Sequence, residues 1–349
     1  MVSAILSETN VFDSKFTFGV QVKENTKTAE LNSHQSAVKI QAAALNHRDI
    51  WILKKQYGGI VMDSVLGSDG VGYVTKNGTV GQRVLINPSI GWDSDERGPE
   101  GKFSILGLLP AIGTLTEEEV VVDKKDIVAC PEHLSLPEAA ALPLSGVTAY
   151  RALFTKAKVR KGDHVLVTGI GGGVALMALQ FAVAAGAHVY VTSSSPEKIQ
   201  KAIELGAKGG VNYKDAKCLD ELSKLLEGNR LAAIIDGAGG PLYPKYPKLM
   251  MSGGIISCYG QTANATEGVN MTMLHVVKNI EIKGSTMGSR EEFCKMVAFV
   301  DQHKIKPVVS QVWKNLSKES VEQSILTMSR GDQFGKLVIE FGCNSSPKL

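Results

Sequence analysis

The segment Val165-Leu-Val-Thr-Gly-Ile-Gly-Gly-Gly-Val-Ala175 restricts the fold of this chain more than any other. A short apolar run of strand character enters a glycine cluster, and the cluster opens the alanine-rich helical stretch Val174–Ala185. Glycine allows a backbone to approach a ligand where a Cβ would stand in the way. A helix that starts at such a turn offers its first N–H groups to a pyrophosphate. A strict G-x-G-x-x-G would need glycine at Val174; the spacing that fits is Gly169-x-x-Gly172-x-x-Ala175. Strand, turn and helix in this order predict dinucleotide binding, with an ordinary glycine-rich turn as the competing reading.

The flanking sequence continues the pattern. Strands are expected at His164–Thr168, His188–Ser193, Gly210–Tyr213, Leu231–Asp236, Gly254–Tyr259 and Ile280–Gly284, with helices such as Pro196–Leu205 between them. Such alternation predicts a parallel sheet covered by helices on both faces. Upstream, short apolar runs at Ala37–Ile40, Gly70–Thr75, Arg83–Ile86 and Glu117–Val122 are separated by Gly, Asn and Pro turns and predict a mostly β region. Asn87–Gly107, rich in Pro, Gly, Asp and Ser, reads as a long surface loop. Helices are expected at Leu136–Leu142, Gly146–Phe154 and Glu291–His303, and a last strand at Gly335–Phe341.

Composition removes other classes. The 349 residues give a soft prior of two domains. Glycine at 36 residues has no collagen-like period. The five cysteines (Cys130, Cys218, Cys258, Cys294, Cys343) form no C-x-x-C pair, which argues against a disulfide scaffold or a zinc knuckle. A net charge of +3 without a block of like charges demands no nucleic-acid surface. No stretch reaches about 18 apolar residues, so no membrane span is expected. Met1–Lys15 lacks a basic and then apolar leader pattern, and a cytoplasmic location is the expectation.

The end of the second nucleotide-domain strand selects the dinucleotide. Sites for NAD usually carry an acidic residue about 20 positions after the glycine turn. Here that place holds Ser193 and Ser194, with Lys198 beyond. Hydroxyls and an ammonium suit the 2′-phosphate of NADPH, which a carboxylate would repel. Glu197 lies in the first helical turn after Ser195-Pro196, where a helix dipole favours an acid. A solvated helix-face lysine is the competing reading of Lys198.

Several further motifs stand together: Ala44-Leu-Asn-His-Arg-Asp49, Leu66-Gly-Ser-Asp-Gly-Val-Gly72, Leu142-Pro-Leu-Ser-Gly-Val-Thr-Ala-Tyr150, Val211-Asn-Tyr213, Asp236-Gly-Ala-Gly-Gly240, Lys283-Gly-Ser285 and Gly335-Lys-Leu-Val338. With the glycine loop, they make the chain resemble the medium-chain dehydrogenase/reductase superfamily over nearly its whole length. Within it, the chain is similar to the zinc-free quinone oxidoreductase branch and to fungal zinc-type alcohol dehydrogenase-like proteins. The resemblance implies an α/β protein with a GroES-like β domain (residues 1–127 and 289–349). A doubly wound Rossmann NADPH-binding domain (128–288) is inserted into it, with the active site in the cleft between the two. It places Asn46 and Thr148 near the nicotinamide, and Gly172, Gly173 and Val174 at the pyrophosphate. Ser193, Ser194, Lys198 and Tyr213 would hold the 2′-phosphate end, with Lys336 reaching it too. Gly239, Tyr259 and Ser285 would line the rest of the groove. Tyr213 also reads as a half-buried strand-end residue, and Gly239 and Ser285 as turn residues. A homodimer is implied, paired through the strand around Ile280–Gly284.

Zinc-dependent members of the superfamily carry metal ligands at positions that are readable here. The first cysteine position is Asn46, the histidine of Gly-His-Glu is Ser68 in Gly67-Ser68-Asp69, and the third ligand position is Leu144. This set offers no soft or imidazole donor to a tetrahedral zinc. The lobe around 88–105, which holds four cysteines when it binds a structural zinc, has none. His47 and Asp49 remain, and hydrogen bonding within the domain is their expected use. Without such a Lewis acid, alcohol oxidation loses its activator. Hydride delivery from NADPH to a quinone or an α,β-unsaturated carbonyl needs only donors and a proton for the developing oxyanion. Tyr57 and Asn46 are the candidate donors and Trp51 a pocket wall; a loop tyrosine with a wet hydroxyl is the competing reading of Tyr57. Two other functions stay open: an NADPH-binding sensor or structural protein without turnover, and a zinc alcohol dehydrogenase with unusual ligands.

Overall fold

In a computed structural model, residues 1–24, 31–110, 112–240, 242–262 and 271–342 are described; Cys343 lies outside them. They form two compact units, Met1–Leu144 with Ser289–Leu349, and Ser145–Gly288. The first crossing thus falls later than the expected 127/128. The reason is local: the helix Leu136–Ala140 packs on the strands of the first unit, and the Leu144 N–H donates to buried Asp69 at 2.7 Å.

The second unit is a six-stranded, wholly parallel sheet. In spatial order its strands are Gly209–Asn212, His188–Ser193, His164–Val167, Leu231–Asp236, Met250–Cys258 and Glu281–Gly284. In chain order this reads 3-2-1-4-5-6, the doubly wound dinucleotide-binding arrangement. The three central strands are apolar runs because parallel strands between helix layers are buried on both faces. Leu166, Tyr190, Val211, Ile234 and Ile256 make part of that core with helix side chains such as Leu222. The helix after the glycine turn, Gly173–Ala184, is apolar nearly all round and correspondingly buried. Pro143–Tyr150 continues into a π-helical turn, Arg151–Lys156.

The first unit centres on Gln35–Ala44. This strand pairs with Asp69–Lys76, with Glu119–Asp123 and with the C-terminal strand Lys336–Glu340. Arg83–Ile86 and Ile127–Ala129 extend one side, and Val309–Lys314 the other. The C-terminal segment therefore completes a sheet begun about 290 residues earlier, and Val38, Ile40, Leu337 and Ile339 share its core. The Asn87–Gly107 stretch is more than a surface loop. Ser89–Ile90 pairs with Ser104–Ile105, Trp92 is buried, and the Glu100 carboxylate accepts the N–H groups of Asp93, Ser94 and Asp95 at 2.8, 2.7 and 2.6 Å. No helix among the described residues is long and apolar enough to cross a membrane.

Candidate active site and dinucleotide cradle

In the second unit, Gly169 and Gly171 take left-handed φ values of 64° and 136°, which glycine adopts without steric cost. Gly172 is different. It caps the Gly173–Ala184 helix at an ordinary φ of −79°, and a Cβ added there would meet no atom within 4 Å. The fold alone does not require glycine at 172, and the space its hydrogen leaves open fits a ligand backed by the helix's first N–H groups, which have no intrahelical acceptor. Gly169 N–H donates to Thr192 Oγ1 at 3.1 Å and Ile170 N–H to the Thr192 carbonyl at 2.8 Å, which ties the turn to the second strand.

The second strand's end gathers the residues expected at the 2′-phosphate. Ser193 is in register with Asn212, and the Tyr213 N–H donates to the Ser193 carbonyl at 3.3 Å. Ser195 N–H donates to Ser193 Oγ at 3.1 Å. Ser195 in turn caps the helix Pro196–Glu204, its Oγ accepting from the Lys198 N–H at 3.2 Å. Ser194 is exposed, Lys198 half-buried, and Tyr213 exposed beside them. Glu197 is held below the usual carboxylate range chiefly by the Ser195 hydroxyl, so its charge is a feature of the helix start.

On the other half of the sheet, Asp236 clasps its own loop. It accepts from the Thr168 hydroxyl and from the N–H groups of Ala238 and Gly239, the latter two at 3.3 and 3.0 Å. Gly239, at φ 69°, therefore spends its amide within the turn. The Tyr259 ring lies so close to Gly237 that a Cβ there would fall 2.4 Å from it. Burial pushes the Tyr259 phenol well above its ordinary value. Ser285, nearly buried, donates its N–H to the Cys258 carbonyl at 2.8 Å, but its Oγ has no partner. Thr148 Oγ1 stands 3.9 Å from Met287 Sδ. An orphaned hydroxyl at the carboxyl end of a strand, together with the open Gly172 position, fits a dinucleotide. Gly172, Gly173 and Val174 would hold its pyrophosphate, and Ser285 would bond to it along the groove.

In the first unit the readable metal positions form a closed polar cluster. Lys336 Nζ donates to Asp69 Oδ2 at 2.8 Å, Asn46 Oδ1 at 2.5 Å and the Leu45 carbonyl at 2.7 Å. An ammonium only donates, so the Asn46 amide must present its oxygen to it. Its Nδ2 then donates to Asp69 Oδ2 at 2.9 Å and to Ser68 Oγ at 3.3 Å. Asp69 Oδ1 takes the Leu144 N–H. Two expectations are corrected by this cluster. Lys336 is 5 % exposed with all three protons committed in the first unit, so it does not reach for a 2′-phosphate. Asn46 has both amide protons committed, so it is not a donor to a cofactor or a reacting oxygen. Nor does the cluster fit a divalent metal: its donors are an amide, a hydroxyl and a carboxylate already bonded to an ammonium. Among the described residues no three His, Cys, Asp or Glu side chains are placed to hold a metal ion.

Asp49, fully buried, accepts the Asn46 N–H at 2.8 Å through Oδ2, while its Oδ1 has no partner. Burial raises its pKa. His47 is exposed, edge-on to Trp51 at 5.6 Å. Tyr57 is half-buried against the core, and its hydroxyl accepts from Arg48 Nε at 3.3 Å. Arg48 and the Lys336–Asp69 pair are absent from the sequence expectations as a site. Arg48 is readable inside Ala44–Asp49, whereas the pair joins residues 267 positions apart and leaves no local signal.

The alcohol dehydrogenase GroES-like domain family matches residues 32–132, and the zinc-binding dehydrogenase family matches 173–302. A zinc-type alcohol dehydrogenase-like protein, YogA, of Leptosphaeria maculans is 42 % identical over 87 % of this chain and 89 % of its own. A quinone oxidoreductase of Pseudomonas aeruginosa is 26 % identical over 75 % of each. The crystal structure of an NAD-dependent alcohol dehydrogenase superimposes with a TM-score of 0.87 at 29 % identity, covering 98 % of this chain and 100 % of that one. With the 3-2-1-4-5-6 sheet and the β unit closed by its own C-terminus, these likenesses establish the chain as an oxidoreductase-type member of the medium-chain dehydrogenase/reductase superfamily.

Proposed function

We propose that the protein is a zinc-independent, NADPH-dependent reductase of quinones or α,β-unsaturated carbonyls. One observation carries this reading: the ancestral metal positions form a hydrogen-bonded Lys336–Asp69–Asn46 cluster, while the dinucleotide-facing groups of the second unit keep open positions. The quinone oxidoreductase names of relatives such as that of Pseudomonas aeruginosa support it. Ser193, Ser194, Lys198 and Tyr213 form the 2′-phosphate corner in this reading, Thr148 lies near the nicotinamide, Tyr259 lines the rest of the groove, and Tyr57 donates to the acceptor's oxygen. NADPH supplies the hydride. The protein's own part is to hold the two reactants and to stabilise charge on the acceptor oxygen.

The test is NADPH oxidation across a panel of quinones and enones, with and without a chelator, beside metal analysis. Turnover indifferent to the chelator is expected. Stoichiometric zinc would defeat the metal-free reading, and saturable NADPH binding with no turnover would favour a sensor instead.

We also propose a homodimer paired through Glu281–Gly284. That strand is the outer edge of its sheet, and Met251, Met271, Met273, Val276 and Val277 are exposed on neighbouring segments. An open edge with exposed apolar side chains favours a second copy. Light scattering that finds only monomer at micromolar concentration would defeat it.

A further inference from the structure

Arg48 is buried in the first turn of the helix His47–Leu53, yet no carboxylate makes an ion pair with it among the described residues. Its Nη1 donates to the Leu106 carbonyl at 2.6 Å and its Nε to the Tyr57 hydroxyl at 3.3 Å. The guanidinium carbon stands 4.9 Å from the Tyr57 ring centroid. Nη2 has no acceptor among the described residues. The neighbouring Asp49 attracts Arg48 through space without a hydrogen bond between them, and its Oδ2 is taken by the Asn46 N–H. A buried guanidinium that leaves an N–H unbonded is costly.

The covalent geometry of arginine locates what is missing. Nε–H and one Nη2–H run parallel and form the edge that grips both oxygens of a carboxylate. In this structure the Tyr57 hydroxyl oxygen occupies the position of the first oxygen. The position of the second is left to an incoming group. An oxygen placed there would accept from Nη2 and lie next to the phenol, whose own proton is not used on Arg48 because its oxygen is the acceptor in that contact.

We propose that Arg48 Nη2 and the Tyr57 hydroxyl together bind the carbonyl oxygen of the hydride acceptor. This assignment rests on the reductase reading above. As the new C–H bond forms at the β-carbon of an enone, the C=C electron pair moves onto that oxygen. Two donors, one of them cationic, meet the charge where it develops. Tyr57 then passes its proton to the oxygen and recovers one from water, and the enol tautomerises to the saturated carbonyl compound. For a quinone the same protonation completes the hydroquinone.

The experiment compares wild type, Tyr57→Phe, Arg48→Met, Arg48→Lys and the Tyr57→Phe/Arg48→Met double variant. It measures steady-state kinetics with an enone and a quinone, NADPH affinity by nicotinamide fluorescence, and binding of 4-nitrophenolate, a planar oxyanion probe, by its absorbance shift. Loss of a donor to a developing oxyanion lowers kcat by about 10²-fold. That loss is expected for Tyr57→Phe and Arg48→Met, with NADPH affinity unchanged and 4-nitrophenolate binding at least tenfold weaker. Arg48→Lys keeps the charge without the parallel edge and should recover only part of kcat. The double variant should be little worse than the poorer single one. Should Arg48→Met fail to fold through loss of the Leu106 contact, Tyr57→Phe, which removes one hydroxyl, decides. Wild-type turnover that both variants match within about threefold overturns the oxygen site and leaves the reductase reading intact. Arg48-dependent binding of 4-nitrophenolate by an enzyme that reduces no acceptor supports the oxygen site and overturns the reductase reading.

Discussion

The Asn46–Ser68–Asp69 cluster of the first unit and the glycine turn of the second are both polar sites, and they differ in what their polar atoms do. Around Asp69 the groups answer one another: Lys336, Asn46, Ser68 and Leu144 are bonded within the cluster. Around Gly172 and Ser285 they do not: one position has empty space where a Cβ would be, and the other has a hydroxyl without a partner. A satisfied buried cluster is a structural joint, and an unsatisfied one at a strand end is a place for a ligand. The joint also ties the C-terminal strand into the first unit: Lys336 brings its charge onto a fully buried Asp69.

The comparison can be broken most forcefully at Lys336. Lys336→Met strands the Asp69 charge in the core, and a loss of about 3–5 kcal/mol in urea or thermal unfolding is expected. Adding Asp69→Asn should recover a large part of it. A loss below about 1 kcal/mol would show that the cluster is not a joint, since an uncompensated buried charge costs several times that.

At the glycine turn the effects should separate the other way. Gly172→Ala adds a Cβ into empty space, so Tm should move by less than about 4 °C, while dinucleotide affinity falls at least about tenfold because the backbone can no longer approach. Equal damage to Tm would mean that the space serves the fold. Lys198→Ala sharpens the cofactor corner. One charge-assisted bond contributes about 1.5–3 kcal/mol, so NADPH should bind at least about tenfold more weakly while NADH is unaffected. Equal loss for both cofactors would remove Lys198 from the 2′-phosphate.

The smallest effect concerns the 88–105 lobe, which in this chain is organised by a carboxylate. Backbone N–H groups of Asp95, Ser94 and Asp93 bond to the ionised Glu100 and hold its pKa at about 2. The folded value lies below the unfolded one, so this contribution is complete above the ordinary carboxylate pKa and is lost as pH falls towards 2. Trp92, whose Nε1 donates to the Asp95 carbonyl at 2.8 Å, reports on it. In a Trp51→Phe/Trp313→Phe background its emission should stay constant from neutral pH to about pH 5 and shift red only in stronger acid, whereas Glu100→Gln should shift it at neutral pH. An unchanged Glu100→Gln spectrum would show that the lobe is held by its other contacts.

Much of the second unit was legible from residues alone. Its central strands are buried on both faces and read as apolar runs; His188–Ser193 and Leu231–Asp236 are found where they were expected. The first unit was less legible, because its strands alternate, bulge and close with a distant segment. The helix Lys318–Arg330 and the strand Val309–Lys314 were not anticipated. The Asn87–Gly107 stretch looked like a loop because its order comes from Glu100 reaching back to three backbone amides and from burial of Trp92.

The sequence by itself determined the dinucleotide fold, the family and the absence of zinc-type ligands at Asn46, Ser68 and Leu144, since each depends on residue types at short spacings. Only the tertiary structure decided what the side chains at those positions bond to. Lys336 was expected to reach the 2′-phosphate, and it is instead the buried partner of Asp69 because antiparallel pairing of Lys336–Glu340 with Gln35–Ala44 carries it there. Arg48 likewise reads as one charge in a motif. Its open Nη2 beside Tyr57 exists only because the fold commits its other nitrogens to Leu106 and to the phenol. Long-range partners decide which polar atoms are spent and which are left for chemistry, and local sequence carries no record of that allocation.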